Sequence, residues 1–296
     1  MGDHRPRSPI PGTAMRGRTM SEVRTVALPN GTLVPALGQG TWRMAEDRGK
    51  RSAELAALRR GLELGLTLVD TAEMYAEGAA EELVGEALRG HRDEVFLVSK
   101  VLPSHAGARD VARACHDSMS RLETEHIDLY LLHWRGTVPL EETVDAFERL
   151  QQAGSIGAWG VSNLDTDDLA QLPDGALPQT DQVLYNLSRR GPEYDLLPRL
   201  RELSVPAMAY SPVEQGRILQ EPALHSVADA HDATPAQVAL AWVLRGGDTI
   251  AIPKAGTNAH VEENRKALDL HLTADDLAAL DAAFPPPSQK QPLDIL

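Results

Sequence analysis

The feature that most restricts the fold of this chain is an alternation. After residue 36, a short apolar run is followed by a longer amphipathic run, again and again. The apolar runs cover residues 36–39, 66–69, 95–99, 128–132, 158–161, 180–184, 207–210 and 249–252, eight in all. They alternate little within themselves, which suits strands buried on both faces. Helical spacings lie between them. Leu55, Leu58 and Leu62 recur at i, i+3 and i+7. Thr234-Pro235-Ala236-Gln237 reads as an N-cap, a first-turn Pro and a capping-box Gln. Strands that alternate with helices are parallel and joined by right-handed crossovers. At 296 residues a closed (β/α)8 TIM barrel is the economical solution, with an open doubly wound sheet as the competitor.

Ahead of the repeat, TVALPNGTLVPAL places two alternating runs around Asn30-Gly31, a strong hairpin signal. This N-terminal hairpin is expected to close the bottom of the barrel. Residues 1–20 hold Arg, Pro, Gly and Ser without an apolar stretch and read as a disordered tail, with Met20 as an alternative start. No Pro/Gly/Ser-rich linker divides the chain beyond residue 20, so residues 21–296 are expected to form one domain.

The net charge of −14 argues against a nucleic-acid partner, which would require a basic face. It leaves room for a local basic pocket. No stretch is apolar enough for a bilayer, so no membrane association is expected. The single cysteine, Cys115, excludes an intramolecular disulfide, fits a reducing cytoplasmic setting, and reads as a packing residue.

In a barrel, chemistry gathers at the C-terminal ends of the strands. After the first run come Gly40, Thr41 and Trp42; after the second, Asp70 and then Tyr75 on the loop. The third ends at Lys100 and the fourth at His133 and Trp134. The fifth gives Ser162 and Asn163, and the sixth carries Gln182 and leads to Tyr185 and Asn186. The seventh ends at Tyr210 and Ser211, and the eighth at Lys254. Strand ends are polar simply because they meet water. Lys100 and His133, however, stand hard against buried runs.

Asp70 needs a partner, because an unpaired buried charge is costly. Neighbouring barrel strands offer Lys100, with His133 one strand further and Tyr75 above. A phenol of pKa near ~10 is a sluggish proton donor. An ammonium ~4 Å away supplies ~1 kcal/mol in bulk water and ~4 at an effective dielectric near 20. Lys100 can therefore tune Tyr75 only in a partly desolvated pocket. The four groups make a general acid–base aimed at a carbonyl or alcohol. No side chain supplies hydride, so a nicotinamide or flavin must. Gly38-Gln39-Gly40 lacks the third glycine of a dinucleotide fingerprint. Lys254, beside a helix start at Thr257-Asn258, is the better anion site.

The stretches LGQGTW, LVDTAEMY, VFLVSK, IDLYLLHW, WGVSN, AYSP and IPKAGTNAHVEEN resemble, in this order, the aldo-keto reductase superfamily from about residue 23 onward. LLHWRG and AAFPPP resemble its bacterial methylglyoxal and 2,5-diketo-gluconate reductase branch. The resemblance implies an NAD(P)H-dependent reductase of aldehydes or ketones, without metal or flavin. The expected substrates are small carbonyl compounds such as methylglyoxal, or keto-sugars, and the expected state is a monomer. It implies Tyr75 as proton donor, Lys100 salt-bridged to Asp70 and lowering the phenol pKa, and His133 orienting the carbonyl. Gly40 and Thr41 would lie beside the cofactor, Thr41 helping Asp70 meet its ribose. Ser162, Asn163 and Gln182 would hold the carboxamide, with Tyr210 stacked on the nicotinamide. Ser211, Val213, Gly216, Lys254, His260, Glu263 and Asn264 would serve the pyrophosphate, 2′-phosphate or adenine. Trp42 and Trp134 would line the substrate pocket.

Two departures from the family pattern matter. Members that prefer NADPH usually carry an arginine where this chain has His260, and Ala255 replaces a common hydroxyl. Histidine is only partly charged at neutral pH and lacks the guanidinium fork. NADPH is the expected cofactor, with NADH tolerated. The segment after Phe284 is short, which implies an open site. Other chemistries lack their signatures: there is no HExxH spacing, no GxSxG elbow and no Walker loop. The alternative is a redox-sensing regulatory subunit that binds cofactor and turns over little.

Overall fold

A computed structural model describes residues 23–296, so the expected tail over residues 1–20 lies outside the described residues. Strands β1 (Thr25–Ala27) and β2 (Leu33–Pro35) pair antiparallel with Val26 opposite Val34. Residues 28–32 connect them, a longer loop than a two-residue Asn-Gly turn. The reason is Leu28, which turns inward to 3 % exposure while its N–H donates to the Thr32 carbonyl.

The main sheet runs in chain order through β3 (Gln39–Gly40), β4 (Leu68–Asp70), β5 (Phe96–Val101), β6 (Ile127–Leu132), β7 (Ile156–Ser162), β8 (Asp181–Leu184), β9 (Ala207–Tyr210) and β10 (Thr249–Ala251). Every adjacent pair is parallel. The first and last strands also meet. Leu37 bridges Ala251 and Gly40 bridges Lys254, both parallel, and the Gly38 N–H donates to the Ala251 carbonyl. The sheet is therefore a closed barrel, and the open doubly wound alternative fails because no edge is left. Gly40 permits the seam: a Cβ there would sit 2.5 Å from the Ile252 carbonyl oxygen.

Helices cover the barrel. They are α1 (Arg51–Glu63), α2 (Ala79–Leu88), α3 (Asp110–Arg121), α4 (Leu140–Gln152), α5 (Thr166–Leu169), α6 (Leu196–Glu202), α7 (Pro222–Ala230), α8 (Pro235–Val243), α9 (Asn258–Lys266) and α10 (Ala274–Ala283). In α1, Leu58 is buried and Leu55 and Leu62 pack against the same core. The capping box opens α8 as its sequence implies: Thr234 Oγ1 accepts from the Gln237 N–H, and Gln237 Oε1 accepts from the Thr234 N–H. Cys115 is fully buried in α3, and burial pushes its thiol up to about 12, so it packs and does not react.

The hairpin lies at the N-terminal end of the strands. Its Asn30 N–H donates to Gln179 Oε1, just ahead of β8, while Val26, Leu28 and Val34 plug the core. The opposite rim is left for chemistry. Among the described residues no helix is long and apolar enough to cross a membrane.

Candidate active site

Asp70 is the last residue of β4 and Lys100 the fifth of β5, so the two side chains enter the barrel side by side. Lys100 is fully buried and Asp70 is 2 % exposed. The Lys100 ammonium donates to Asp70 Oδ2 at 2.8 Å, to the Thr71 carbonyl at 2.8 Å and to Tyr75 OH at 3.1 Å. An ammonium has three donors, and here all three are used. Thr41 fixes the end of β4, its Oγ1 and N–H both donating to the Asp70 carbonyl. The second oxygen of Asp70, Oδ1, accepts from Gln182 Nε2 at 2.7 Å. The family resemblance assigned Gln182 to a carboxamide; in this structure its amide nitrogen serves Asp70, because Lys100 satisfies only one carboxylate oxygen.

Burial pushes the Asp70 carboxyl up and the Lys100 amine down, and each charge opposes that shift in its partner. Tyr75 corrects the expected direction. Its phenol is held well above the usual value, by burial first and by the Asp70 carboxylate second. Lys100 does not lower it below normal, since Asp70 offsets its field. The phenol is therefore protonated across the neutral range. It accepts from Lys100, which leaves its own O–H free.

His133 follows β6. Its ring meets Tyr75 edge-on at 5.7 Å between centroids and tilts against Trp134 at 4.8 Å. Burial, helped by the Lys100 charge, lowers its pKa to about 2. The imidazole is neutral and carries a single N–H. Its Nδ1 is buried without a hydrogen-bond partner, so no protein group fixes the tautomer.

These groups open onto a cavity of about 500 Å³ at the C-terminal rim. Among its lining residues are Gly40, Trp42, Asp70, Tyr75, His133, Trp134, Ser162, Asn163, Gln182 and Tyr210. Ser211, Val213, Gly216, Lys254, His260, Glu263 and Asn264 line it as well. Lys100 and Thr41 are buried behind the wall. Asn163, at φ +57°, donates through Nδ2 to the His133 carbonyl at 3.1 Å and to Ser162 Oγ at 3.0 Å. Its Oδ1 accepts from Tyr210 OH at 3.0 Å. Lys254 lies 3.7 Å from Glu54 Oε1, and His260 is exposed at the start of α9. A cationic end and an aromatic end suit a dinucleotide and a small substrate.

Sequence reasoning missed several lining residues. Arg43, whose guanidinium lies 4.7 Å over the Trp42 ring, could have been found from its neighbour. Ile295 and Leu296 carried no signal, yet both line the cavity. The short C-terminal segment thus forms part of the wall rather than leaving the site open. Arg189 Nη1 holds Asp294 at 3.3 Å and Lys290 holds Asp195 at 3.2 Å, which bring the segment back over the rim. Among the described residues no His/Cys/Asp/Glu group could hold a metal ion.

Comparison with known proteins agrees with this geometry. The model of the aldo/keto reductase family matches residues 36–284. Methylglyoxal reductase YeaE of Escherichia coli K12 is 52% identical over 271 residues, covering 89% of this chain and 95% of that protein. Glyoxal reductase of Bacillus subtilis 168 is 31% identical over 263 residues, covering 87% and 92%. The crystal structure of an aldo/keto reductase from Klebsiella pneumoniae in complex with NADP and acetate superposes with a TM-score of 0.90 at 50% identity, covering 93% of this chain and all of that one (100%). A barrel of this topology with a buried aspartate, lysine and tyrosine at one rim, matched over most of its length, is an oxidoreductase: the chain belongs to the aldo/keto reductase family.

Proposed function

We propose that this protein reduces small aldehydes and ketones to alcohols with NADPH, and that 2-oxoaldehydes of the methylglyoxal type are its preferred substrates. The observation that carries the reading is the Tyr75 hydroxyl. It accepts from Lys100 at 3.1 Å and faces a cavity that also contains His133. The likeness to methylglyoxal reductase YeaE supports the substrate class. The NADP complex of the Klebsiella relative supports the cofactor.

The nicotinamide supplies the hydride when bound. The chain does the rest. His133, neutral, donates its N–H to the carbonyl oxygen and orients it. Tyr75 gives its proton to that oxygen as carbon–hydrogen bond formation turns it into an alkoxide. Burial keeps the proton on the phenol beforehand, and Lys100 stabilises the phenolate afterwards. Water then returns the proton. Ser162, Asn163 and Tyr210 would hold the nicotinamide, and Gly40, Thr41, Gln182 and Asp70 would shape the wall beside it. Ser211, Val213, Gly216, Lys254, His260, Glu263 and Asn264 would hold the rest of the dinucleotide. Trp42 and Trp134 flank the substrate. Residues 21–296 act as one domain and a monomer, in a reducing cytoplasmic setting.

The test is a screen of NADPH and NADH oxidation across methylglyoxal, aromatic aldehydes, aldoses and keto-sugars. Highest kcat/KM for methylglyoxal with NADPH is expected. Absence of turnover with every carbonyl, despite tight cofactor binding, would overturn the reading.

A further inference from the structure

The backbone directly after Tyr75 is unusual. Ala76 and Glu77 sit at φ +48° and +55°, and Gly78 at φ +92°, three left-handed residues in succession. Two of them carry a Cβ, so the segment is strained. Such strain persists only where the surroundings over-determine it. It lies in the short helical turn Tyr75–Gly78 that delivers the phenol to Lys100.

Two carboxylates hold this segment, one on each side of Tyr75 in the chain. Glu73, its side chain 9 % exposed, accepts at Oε1 from the Leu102 N–H at 2.7 Å and from His105 Nδ1 at 3.0 Å. Leu102 is two residues past Lys100. Glu81, fully buried near the start of α2, accepts at Oε1 from Ser99 Oγ at 2.6 Å and at Oε2 from Arg121 Nε at 2.7 Å. Ser99 is the residue before Lys100. The stem of the same Arg121 packs on Gly78, where a Cβ would lie 2.7 Å from Arg121 Cδ. Glu81 therefore ties the Tyr75 segment to the strand that carries Lys100, and Glu73 ties it to the residue just past that strand. One bond lies just before the lysine and one just after it.

We propose that Glu73 and Glu81 are positioning residues of the reduction, two carboxylates that bracket Tyr75 and clamp its strained turn on either side of Lys100, to Ser99 within β5 and to Leu102 just past its end. Neither touches the cavity. Their effect is on the distance between phenol and ammonium. A misplacement of about 1 Å at a reacting group can cost about 10²-fold in rate. The inference rests on Tyr75 being the proton donor.

The test compares Glu73→Ala, Glu73→Gln, Ser99→Ala and, as a control on the underlying reading, Tyr75→Phe. Measured are kcat and KM for methylglyoxal, NADPH affinity by quenching of tryptophan fluorescence, the solvent deuterium isotope effect on kcat, and Tm. Glu73→Ala is expected to lower kcat about tenfold or more. NADPH affinity should be retained and the solvent isotope effect should grow, because proton transfer becomes slower. Glu73→Gln keeps an acceptor for Leu102 and should recover most of kcat. Ser99→Ala should move kcat and the isotope effect in the same direction as Glu73→Ala. Unchanged kcat and isotope effect in Glu73→Ala and Ser99→Ala would overturn the proposal while Tyr75→Phe is inactive. So would losses that Glu73→Gln does not restore and that follow Tm and NADPH affinity. An active Tyr75→Phe would instead overturn the assignment of the proton donor, and the clamp with it.

Discussion

At the scale of single residues, the site is a problem of holding charge out of water. Lys100 is buried with a full set of acceptors, and Tyr75 completes that set. Tyr75→Phe removes the proposed proton donor and one acceptor but keeps the ring. The carbonyl reduction rate should fall by about 10²–10⁴, the range of a general acid, with NADPH affinity kept. Steady-state rates and a fluorescence titration check this, and near-normal turnover would remove Tyr75 from the chemistry. His133 gives a second prediction, on stability. In the folded chain it stays neutral down to about pH 2. In the unfolded chain an imidazole gains its proton near ~6.5. Between those values the unfolded state binds more protons, so stability rises with pH. The contribution is complete above pH ~6.5 and declines by ~1.4 kcal/mol per pH unit below it. Asp70 and Asp181 act in the opposite sense. Burial raises both carboxyls, so their contribution is present in acid and lost as pH rises through their folded values. The variant His133→Gln isolates one slope: between pH 5 and 6.5 its unfolding free energy should depend less steeply on pH than that of the parent. Equal slopes in chemical denaturation would contradict the buried neutral imidazole.

At the scale of elements, the eight βα units bring polar side chains to the same rim, from Gln182 alone on β8 to Lys254, His260, Glu263 and Asn264 after β10, and the loops do the aiming. The last unit bears on cofactor choice. β10 leads to Lys254, which lies 3.7 Å from Glu54 Oε1, and the first turn of α9 carries an exposed His260. A phosphate held there meets a lysine that already faces a carboxylate, and an imidazole that lacks the fork of a guanidinium. His260→Arg adds a permanent charge and a bidentate fork. It should raise the ratio of kcat/KM for NADPH over NADH by about tenfold, the scale of one charge-assisted hydrogen bond. Kinetics with both cofactors decide this, and an unchanged ratio would place the 2′-phosphate elsewhere.

At the scale of the whole molecule, the chain returns to its own active site. Residues 290–296 run back across the rim, held by Lys290 to Asp195 and by Asp294 to Arg189, and place Ile295 and Leu296 in the cavity wall. Arg189 also contacts Glu214, 3 % exposed, in the loop after β9. Exposed ion pairs of this kind are weak individually. A variant lacking residues 294–296, which keeps Leu293 packed on the core, should therefore retain its Tm and its NADPH affinity, while KM for small aldehydes rises. Unchanged KM would show that these residues do not shape the substrate pocket.

What the amino-acid order determined by itself was periodicity and its consequences. Eight apolar runs with helical spacings between them fix parallel strands, and the polar residues just beyond each run fix which groups reach one rim. These are local patterns, and Asp70, Tyr75, Lys100 and His133 could be read from them at their strand ends and the loop above Asp70. The capping box at Thr234 was legible for the same reason, since its partners are three residues apart. Only the folded molecule decided the rest. Gln182 meets Asp70 from 112 positions away, and Ile295 and Leu296 reach the cavity from the far end of the chain. The upward direction of the Tyr75 shift is likewise a tertiary property, because it depends on how completely the phenol is desolvated and on the Asp70 carboxylate beside it. Burial and distance between remote segments are products of closing the barrel, and no stretch of sequence carries them alone.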